Sequence, residues 1–373
     1  MNKHCLIIGA GHAGIQAATL LREEGFDGEI TLFSDETVLP YQKPPLSKGF
    51  LIGKQTTENL LFRNTAYFEE QKIQLELGQI IVHIDTVEQK IKSQSGEEWA
   101  FSHLILATGA RNRTLPLSEF ADKVFTLRTL QDAQSIRQKL ETAQNIAVVG
   151  GGFIGLETAA AAIEMGKQVT VFEAGERLMQ RVLPPVLSSI FLKRHVEKGV
   201  DVRLQTQATH EDLKRSDLIV VGIGVLPNQE LAEDAGLICS NGIEVNGFQQ
   251  TSHPAIYAIG DCALHFNPFA GKNIRLESVQ NANDQAKTAV LHILGRPQTY
   301  QAVPWFWTNQ FDLKLQMAGI NSDYDYVEIK GDQEIPKFSV YYYKNDQLIA
   351  VDSLNKPADH LAARKALASQ MIG

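Results

Sequence analysis

The sequence predicts an α/β protein with two doubly wound domains built from βαβ units, followed by a smaller α+β domain. Three observations carry that prediction. Two glycine-rich segments, Gly9-Ala10-Gly11-His12-Ala13-Gly14 and Gly150-Gly151-Gly152-Phe153-Ile154-Gly155, each follow an apolar run and precede a helix-forming stretch. Strand and helix patterns alternate through both halves that these segments open. After Pro304 the texture changes to aromatic, strand-rich runs.

Taken in order, Cys5-Leu6-Ile7-Ile8 and Ile146-Ala147-Val148-Val149 read as buried parallel strands. At the turn after each, the first glycine permits a sharp reversal and the second lets a pyrophosphate approach the backbone. The third brings the following helix against its strand, and the helix N-terminus offers free N–H groups to the anion. A second strand ending in acid follows each turn: Ile30-Thr31-Leu32-Phe33 before Asp35 and Glu36, and Val169-Thr170-Val171-Phe172 before Glu173. An acid about 20 residues beyond the glycines is placed to grip a ribose hydroxyl pair. Tight strand-to-helix packing is the competing explanation for the glycines alone. The pairing of turn and acid in both halves favours two dinucleotide sites.

The first segment closes at Leu104-Ile105-Leu106-Ala107 and the turn Thr108-Gly109-Ala110. A helix over Leu130 to Glu141 leads to the second fingerprint, whose unit ends with Leu218-Ile219-Val220-Val221 and Gly222-Ile223-Gly224. A further apolar run, Ala255 to Ile259, delivers Gly260-Asp261 and returns the chain to the first domain, which is therefore discontinuous. The expected division is 1–112 with 240–301, then 113–239, then 302–373. In the last part, Phe338 to Tyr343 and Leu348 to Val351 form an antiparallel hairpin across Lys344-Asn345-Asp346-Gln347. A final helix runs from Ala358 to Met371, marked by Pro357 and Asp359 at its start and Gly373 beyond its end.

Bulk properties exclude several functions. The 373 residues, 44% hydrophobic, suffice for a large core, and a net charge of −8 with no long basic block argues against nucleic-acid binding. Cys5, Cys239 and Cys262 have neither C-x-x-C nor metal-site spacing, so no metal is expected and the compartment is read as reducing. Lys3 and the apolar residues up to Leu21 have the outline of a secretory signal, but they carry the first fingerprint and are read as strand, turn and helix. No apolar run has the length of a membrane-spanning helix, which leaves a cytoplasmic protein as the expectation.

More specific motifs run through nearly the whole chain. They are Leu39-Pro40-Tyr41-Gln42-Lys43-Pro44-Pro45-Leu46-Ser47-Lys48, Ala107-Thr108-Gly109-Ala110-Arg111, Leu127-Arg128-Thr129-Leu130 and Gly151 to Glu157. Gly260-Asp261-Cys262, Arg275-Leu276-Glu277-Ser278-Val279-Gln280-Asn281-Ala282 and Pro304-Trp305-Phe306-Trp307 complete the set. With these motifs the chain resembles the FAD-dependent, NADH-using ferredoxin reductases of bacterial dioxygenase and cytochrome P450 systems, the putidaredoxin reductase type. The resemblance implies two Rossmann-like dinucleotide-binding domains in a glutathione-reductase-like arrangement, plus the C-terminal α+β domain.

It further implies that the first fingerprint holds FAD, with Gly9, Gly11, Ala13, Gly14, Asp35, Lys48, Ile81, Arg128, Asp261 and Val279 in contact. The second holds NADH through Gly150, Gly152, Ile154, Gly155, Glu173, Arg181 and Gly224. Lys48 and Glu157 are implied as the catalytic pair beside flavin N5. Read outside the family, they are a surface lysine and a first-turn helix acid. Glu173 favours NADH, because a carboxylate accepts from a free 2′-hydroxyl and repels a 2′-phosphate. Arg177 and Arg181 follow and are either pyrophosphate ligands or solvated cations. NADH gives a hydride while a [2Fe–2S] ferredoxin takes one electron at a time, so a flavin is the converter between them. Similarity assigns Arg63 and Lys287 to ferredoxin docking and sets Trp305 and Trp307 near the flavin edge, against the alternatives of solvated surface and core packing. The ten histidines need no catalytic role, and His12 is read as a bystander.

The chain departs from the pattern between Leu204 and Leu218, where the family usually has a longer β-meander, and it ends sooner than is usual. Two other readings are weighed. A thiol or disulfide oxidoreductase on the same scaffold needs a redox cysteine between Tyr41 and Lys48, and that segment has none. An apoptosis-inducing-factor-like flavoprotein, which acts as an NADH-responsive interaction switch, shares the Lys48/Glu157-type pair but adds an insertion in its C-terminal domain that is absent here.

Overall fold

The computed structural model describes residues 3–370. Its first sheet is five-stranded and parallel, in the spatial order Ile256–Ala258, His103–Leu106, His4–Ile8, Glu29–Ser34, Ile73–Leu77. Alternation along the strands feeds two cores. Cys5 and Ile7 face the helices His12–Glu23 and Val279–Ile293, while Leu6 and Ile8 face the opposite layer with Ile84 and Ile91. That layer holds a small antiparallel sheet, Ile81–Asp85, Lys90–Ser93 and Glu98–Ala100, which the reading of alternating strand and helix did not resolve. Strand Ile256–Ala258 lies beside His103–Leu106 although some 150 residues separate them in sequence.

The second sheet is also parallel, in the order Asp201–Arg203, Gln168–Phe172, Asn145–Val149, Leu218–Val221, Val124–Phe125. The helix expected over Leu130 to Glu141 spans Leu130–Thr142, with Thr129 and Asp132 closing a capping box. Between Leu204 and Leu218, where the resemblance implies a longer meander, the chain forms a short helix, His210–Arg215. It starts in a second capping box, of Thr209 and Asp212, and Leu213 carries it onto the sheet beside Ala147 and Ile219.

The third part is a five-stranded antiparallel sheet, Trp305–Gln310, Leu313–Gly319, Gln347–Leu354, Lys337–Lys344, Tyr326–Asp332, covered by helix Pro357–Ser369. The expected hairpin forms across Asn345 and Asp346, both at positive φ (49° and 57°), the two-residue turn whose twist matches its strands. Met371 and Gly373, placed in the expectation at and beyond the end of the last helix, lie outside the described residues.

Strand Trp305–Gln310 wedges this domain against the other two. Phe306 packs on Phe153 at 4.9 Å, and the Trp305 N–H donates to Gln280 Oε1 at 3.0 Å. His360, from the last helix, packs edge-on to Trp305, and neither ring nitrogen has a hydrogen-bond partner.

Burial lowers the pKa of His360 to about 4, and that of His265, which is also buried, to about 4. In the unfolded chain both titrate near 6.5, so between these values the unfolded state binds more protons. The stability present above pH 6.5 is therefore lost as the pH falls toward 4. Each histidine is expected to cost up to ~2 kcal/mol at pH 5, from 1.5 pH units at about 1.36 kcal/mol per unit. Urea unfolding of the parent and of His360→Leu at pH 7 and pH 5 checks this. The variant should lose less stability on acidification, and equal losses would refute the assignment.

Candidate functional site

Both glycine turns sit at the carboxyl ends of their parallel strands, followed at once by helices His12–Glu23 and Phe153–Glu164. The N-caps of those helices are Gly11 and Gly152, neither helix has an acid in its first turn, and no side chain satisfies their leading N–H groups. The fingerprint glycines, Gly9, Gly11 and Gly14 in the first turn and Gly150, Gly152 and Gly155 in the second, are glycine for different reasons. A Cβ on Gly14 would stand 1.8 Å from the Gly9 carbonyl oxygen, and one on Gly155 2.2 Å from that of Gly150, so packing dictates both. Gly9 and Gly150 hold φ of 107° and 109° and press on the backbone of Ala107 and Gly222. At Gly11 a Cβ would meet nothing within 4 Å, and at Gly152 only the Gly222 carbonyl at 3.8 Å. Strand-to-helix packing does not account for these two. Open space over uncapped N–H groups fits an anion such as a dinucleotide pyrophosphate.

Around the first turn the structure gathers a charged cluster. Arg128 and Asp261 pair at 2.7 Å, and Gly109 passes close beneath the guanidinium. Lys43 pairs with Glu36 at 3.6 Å, and burial together with the Arg128 charge depresses its pKa. Asp35, exposed at the strand end, adds its field to the same lysine. His12, read as a bystander, stands among these groups. Loss of hydration, opposed by Asp261 and reinforced by Lys43 and Arg128, lowers its pKa to about 4, so it is neutral at pH 7. Ala13 is buried against Gly260, the residue that turns the chain into Asp261. Val279 opens its helix behind Ser278, whose Oγ accepts from the Asn281 N–H, and Ile81 is half-buried at the head of its strand.

Around the second turn, Glu173 is engaged by the backbone. One oxygen accepts the Gly151 N–H at 2.7 Å and the other the Gly175 N–H at 2.7 Å, so the acid fixes the turn itself. Arg181 is exposed and lies 3.4 Å from the position of a Cβ on Gly224, which brings these two predicted residues together. Arg177 is committed to the loop, donating to Leu183 O and Ser188 Oγ, both at 2.9 Å. Ile154, 44% exposed in the first helical turn, offers an apolar side chain beside the open turn.

Lys48 and Glu157 meet. Their Nζ–Oε2 distance is 2.6 Å, the Glu157 side chain is 3% exposed and that of Lys48 26%. Lys48 follows the short 3₁₀ helix Pro44–Ser47 of the first part, and Glu157 is one turn into the helix that the second fingerprint opens. Ser47 Oγ donates to the same oxygen at 2.5 Å, and Thr308 Oγ1 donates to Oε1 at 2.7 Å. The sequence motifs assign no role to Ser47 or Thr308, although Ser47 lies within the motif ending at Lys48 and Thr308 directly follows Trp307. No cysteine adjoins this pair; Cys262 is buried against Leu106 and Ile259, and burial raises its thiol pKa. Arg63 and Lys287 are both exposed. Trp305 and Trp307 are half-buried with centroids 5.5 Å apart.

The model of the pyridine nucleotide-disulphide oxidoreductase family matches residues 3–286, and that of the reductase C-terminal family residues 305–371. The chain belongs to the pyridine nucleotide-disulphide oxidoreductase family. Several of the most similar proteins are ferredoxin reductases, and others at 38% identity are rubredoxin-NAD(+) reductases. The ferredoxin reductase subunit of 5,5′-dehydrodivanillate O-demethylase from Sphingobium sp. strain SYK-6 is 42% identical, over 96% of this chain and 92% of that protein. The crystal structure of the ferredoxin reductase for the CYP199A2 system of Rhodopseudomonas palustris superposes with a TM-score of 0.95 at 40% identity, covering 99% of this chain and 95% of that one. Putidaredoxin reductase in its covalent complex with putidaredoxin gives 0.94 at 37% identity, covering 99% and 93%.

The division among the glycines is measurable without any ligand. Gly14→Ala is expected to destabilise the fold by more than ~3 kcal/mol, since its Cβ strikes backbone that cannot yield. Gly11→Ser supplies a good N-cap in open space and should stay within ~1 kcal/mol of the parent. Chemical denaturation decides, and similar losses for both would refute the distinction.

Proposed function

We propose that this chain is an NADH-dependent ferredoxin reductase that uses FAD and delivers single electrons to a [2Fe–2S] ferredoxin serving a ring-hydroxylating dioxygenase or cytochrome P450. The observation that carries the reading is the Lys48–Glu157 pair, which ties the helix of the second glycine turn to the segment beside the first. Two dinucleotide turns joined at one buried ion pair suit hydride exchange between two cofactors. The family and the ferredoxin reductases similar along nearly the full chain support the same activity.

The domains are taken as 1–112 with 240–301 for FAD, 113–239 for NADH and 302–373 for the C-terminal part. Gly9, Gly11, Ala13 and Gly14 would hold the FAD pyrophosphate, and Asp35 the adenosine ribose. Asp261, braced by Arg128, would hold the ribitol, with Ile81 and the Val279 N–H as further contacts. Gly150, Gly152, Ile154 and Gly155 would receive NADH, with Arg181 beside Gly224 at its phosphates. Glu173, already engaged by two backbone N–H groups, retains lone pairs for a 2′-hydroxyl and disfavours a 2′-phosphate by charge.

When bound, FAD would supply the means of accepting a hydride from NADH and releasing it as a proton and two single electrons, the electrons going to the ferredoxin. Lys48, held by Glu157, supplies a fixed positive charge where negative charge accumulates on the reduced ring. The rings of Phe153, Phe306 and Trp307 pack in tilted contact where strand Trp305–Gln310 meets the helix that carries Glu157. Arg63 and Lys287 are the cations assigned to the acidic ferredoxin, steering it against the net charge of −8. Among the described residues no helix is long and apolar enough to cross a membrane. The free cysteines support the cytoplasm as the site of action.

The purified chain should be yellow, with bound FAD reduced by NADH, and should pass electrons to a [2Fe–2S] ferredoxin. A chain that stays colourless and takes up no FAD on reconstitution refutes the proposal. Lys48→Met should retain flavin while NADH-dependent reduction slows by roughly tenfold or more. Arg63→Glu and Lys287→Glu should raise the KM for ferredoxin several-fold and leave ferricyanide reduction unchanged, an effect that weakens with salt.

A further inference from the structure

We propose that Thr308 is a positioning residue for the Lys48–Glu157 pair, the end of a buried and directional hydrogen-bond chain that begins at His195. The proposal rests on reading the pair as part of a flavin site and adds a residue outside both dinucleotide segments. Thr308, Gln310 and His195 are all buried, at 0%, 1% and 0% exposure. Gln310 Nε2 donates to Thr308 Oγ1 at 3.2 Å, and Gln310 Oε1 faces His195 Nε2 at 2.9 Å. A carbonyl oxygen only accepts, so His195 Nε2 carries a proton. Burial lowers the pKa of this histidine, and its Nδ1 has no partner, so the ring is the neutral Nε2–H tautomer.

The direction then propagates. With the Thr308 oxygen accepting from Gln310, its hydroxyl hydrogen is left for Glu157 Oε1, at 2.7 Å. Ser47 and Lys48 both occupy Oε2, so Thr308 is the only side-chain donor to Oε1 among the described residues. One oxygen is thereby pinned from the C-terminal domain, which fixes the carboxylate plane and aims the other at Lys48. Without the hydroxyl, Oε1 is a buried acceptor with no partner. Such a group costs more than a lost bond, and the carboxylate turns to recover a donor. Lys48 then loses its anchor. Alternation within strand Trp305–Gln310 puts Thr308 and Gln310 on one face, so a single strand supplies both links.

The test compares the parent with Thr308→Val, which keeps shape and loses the hydroxyl, and with Thr308→Ser, which keeps the hydroxyl. In FAD-free protein, labelling of Lys48 by an amine-reactive reagent, read by mass spectrometry, should quicken about fivefold in Thr308→Val. That factor corresponds to one hydrogen bond's net ~1 kcal/mol. Thr308→Ser should match the parent. With FAD bound, hydride transfer from NADH should slow by a similar factor in Thr308→Val and recover in Thr308→Ser. Equal labelling in all three proteins, or a serine variant that behaves like valine, overturns the inference. Should Thr308→Val fail to fold, Thr308→Ala takes its place against Thr308→Ser. A parent that takes up no FAD overturns the flavin reading instead, and the cofactor-free labelling still decides the role of Thr308.

Discussion

The carboxylate of Glu157 is the point at which three parts of the chain are held together. It is almost wholly removed from water, and a buried charge of that kind is tolerated only when its lone pairs are met. Its donors come from the connection between strands Glu29–Ser34 and Ile73–Leu77 of the first sheet (Ser47, Lys48) and from the C-terminal sheet (Thr308), while Glu157 itself belongs to the helix opened by the second fingerprint. No single domain could satisfy it. The constraint runs both ways: the domains fix the ion pair, and the cost of an unpaired buried carboxylate fixes the domains. Phe306 against Phe153 and the Trp305 amide on Gln280 reinforce the same junction with packing and a hydrogen bond.

The two glycine turns divide their residues between internal packing and open space. In each, the outer glycines are consumed by the protein's own contacts, and the middle one faces space that no side chain fills. Helices that start without a capping side chain or a first-turn acid keep their N–H groups and their positive pole available. Glu173 bolts the turn in place, accepting from the Gly151 and Gly175 amides through its two oxygens. Arg177, a cation near in sequence, is spent on loop carbonyls and a serine, whereas Arg181 extends toward Gly224.

Much of this was legible in the sequence because it rests on strong local signals. Apolar runs with glycine turns gave the parallel strands, and Asn345-Asp346 between aromatic and aliphatic runs gave the hairpin. The small antiparallel sheet over Ile81–Ala100 was not legible, since its strands are only three to five residues long. The capped helix His210–Arg215 was passed over because the segment was compared with a longer meander and its Thr209/Asp212 box was not weighed. At the site, Lys48 and Glu157 were legible only through the resemblance, as their partnership spans 109 positions. Ser47, Thr308 and Gln310 carry no signal of their own. A hydroxyl or amide at a buried strand position looks like any other until the carboxylate or imidazole across from it is known. His12 was set aside on its place in the motif, and only the fold reveals the charges around it.

The return of strand Ile256–Ala258 to the edge of the first sheet orders events during synthesis. The five strands of the second sheet lie within residues 124–221, so that sheet has all its material while the later part of the chain is still being made. The first sheet must wait with His103–Leu106 as an open edge until residue 258 has cleared the ribosome, and its covering helix Val279–Ile293 arrives later still. An apolar edge left bare for that interval is an opening for wrong partners. The domain that contains strand His4–Ile8 is thus among the last to be completed, and a ribosome stalled between the two halves would release a chain whose first sheet lacks its closing strand.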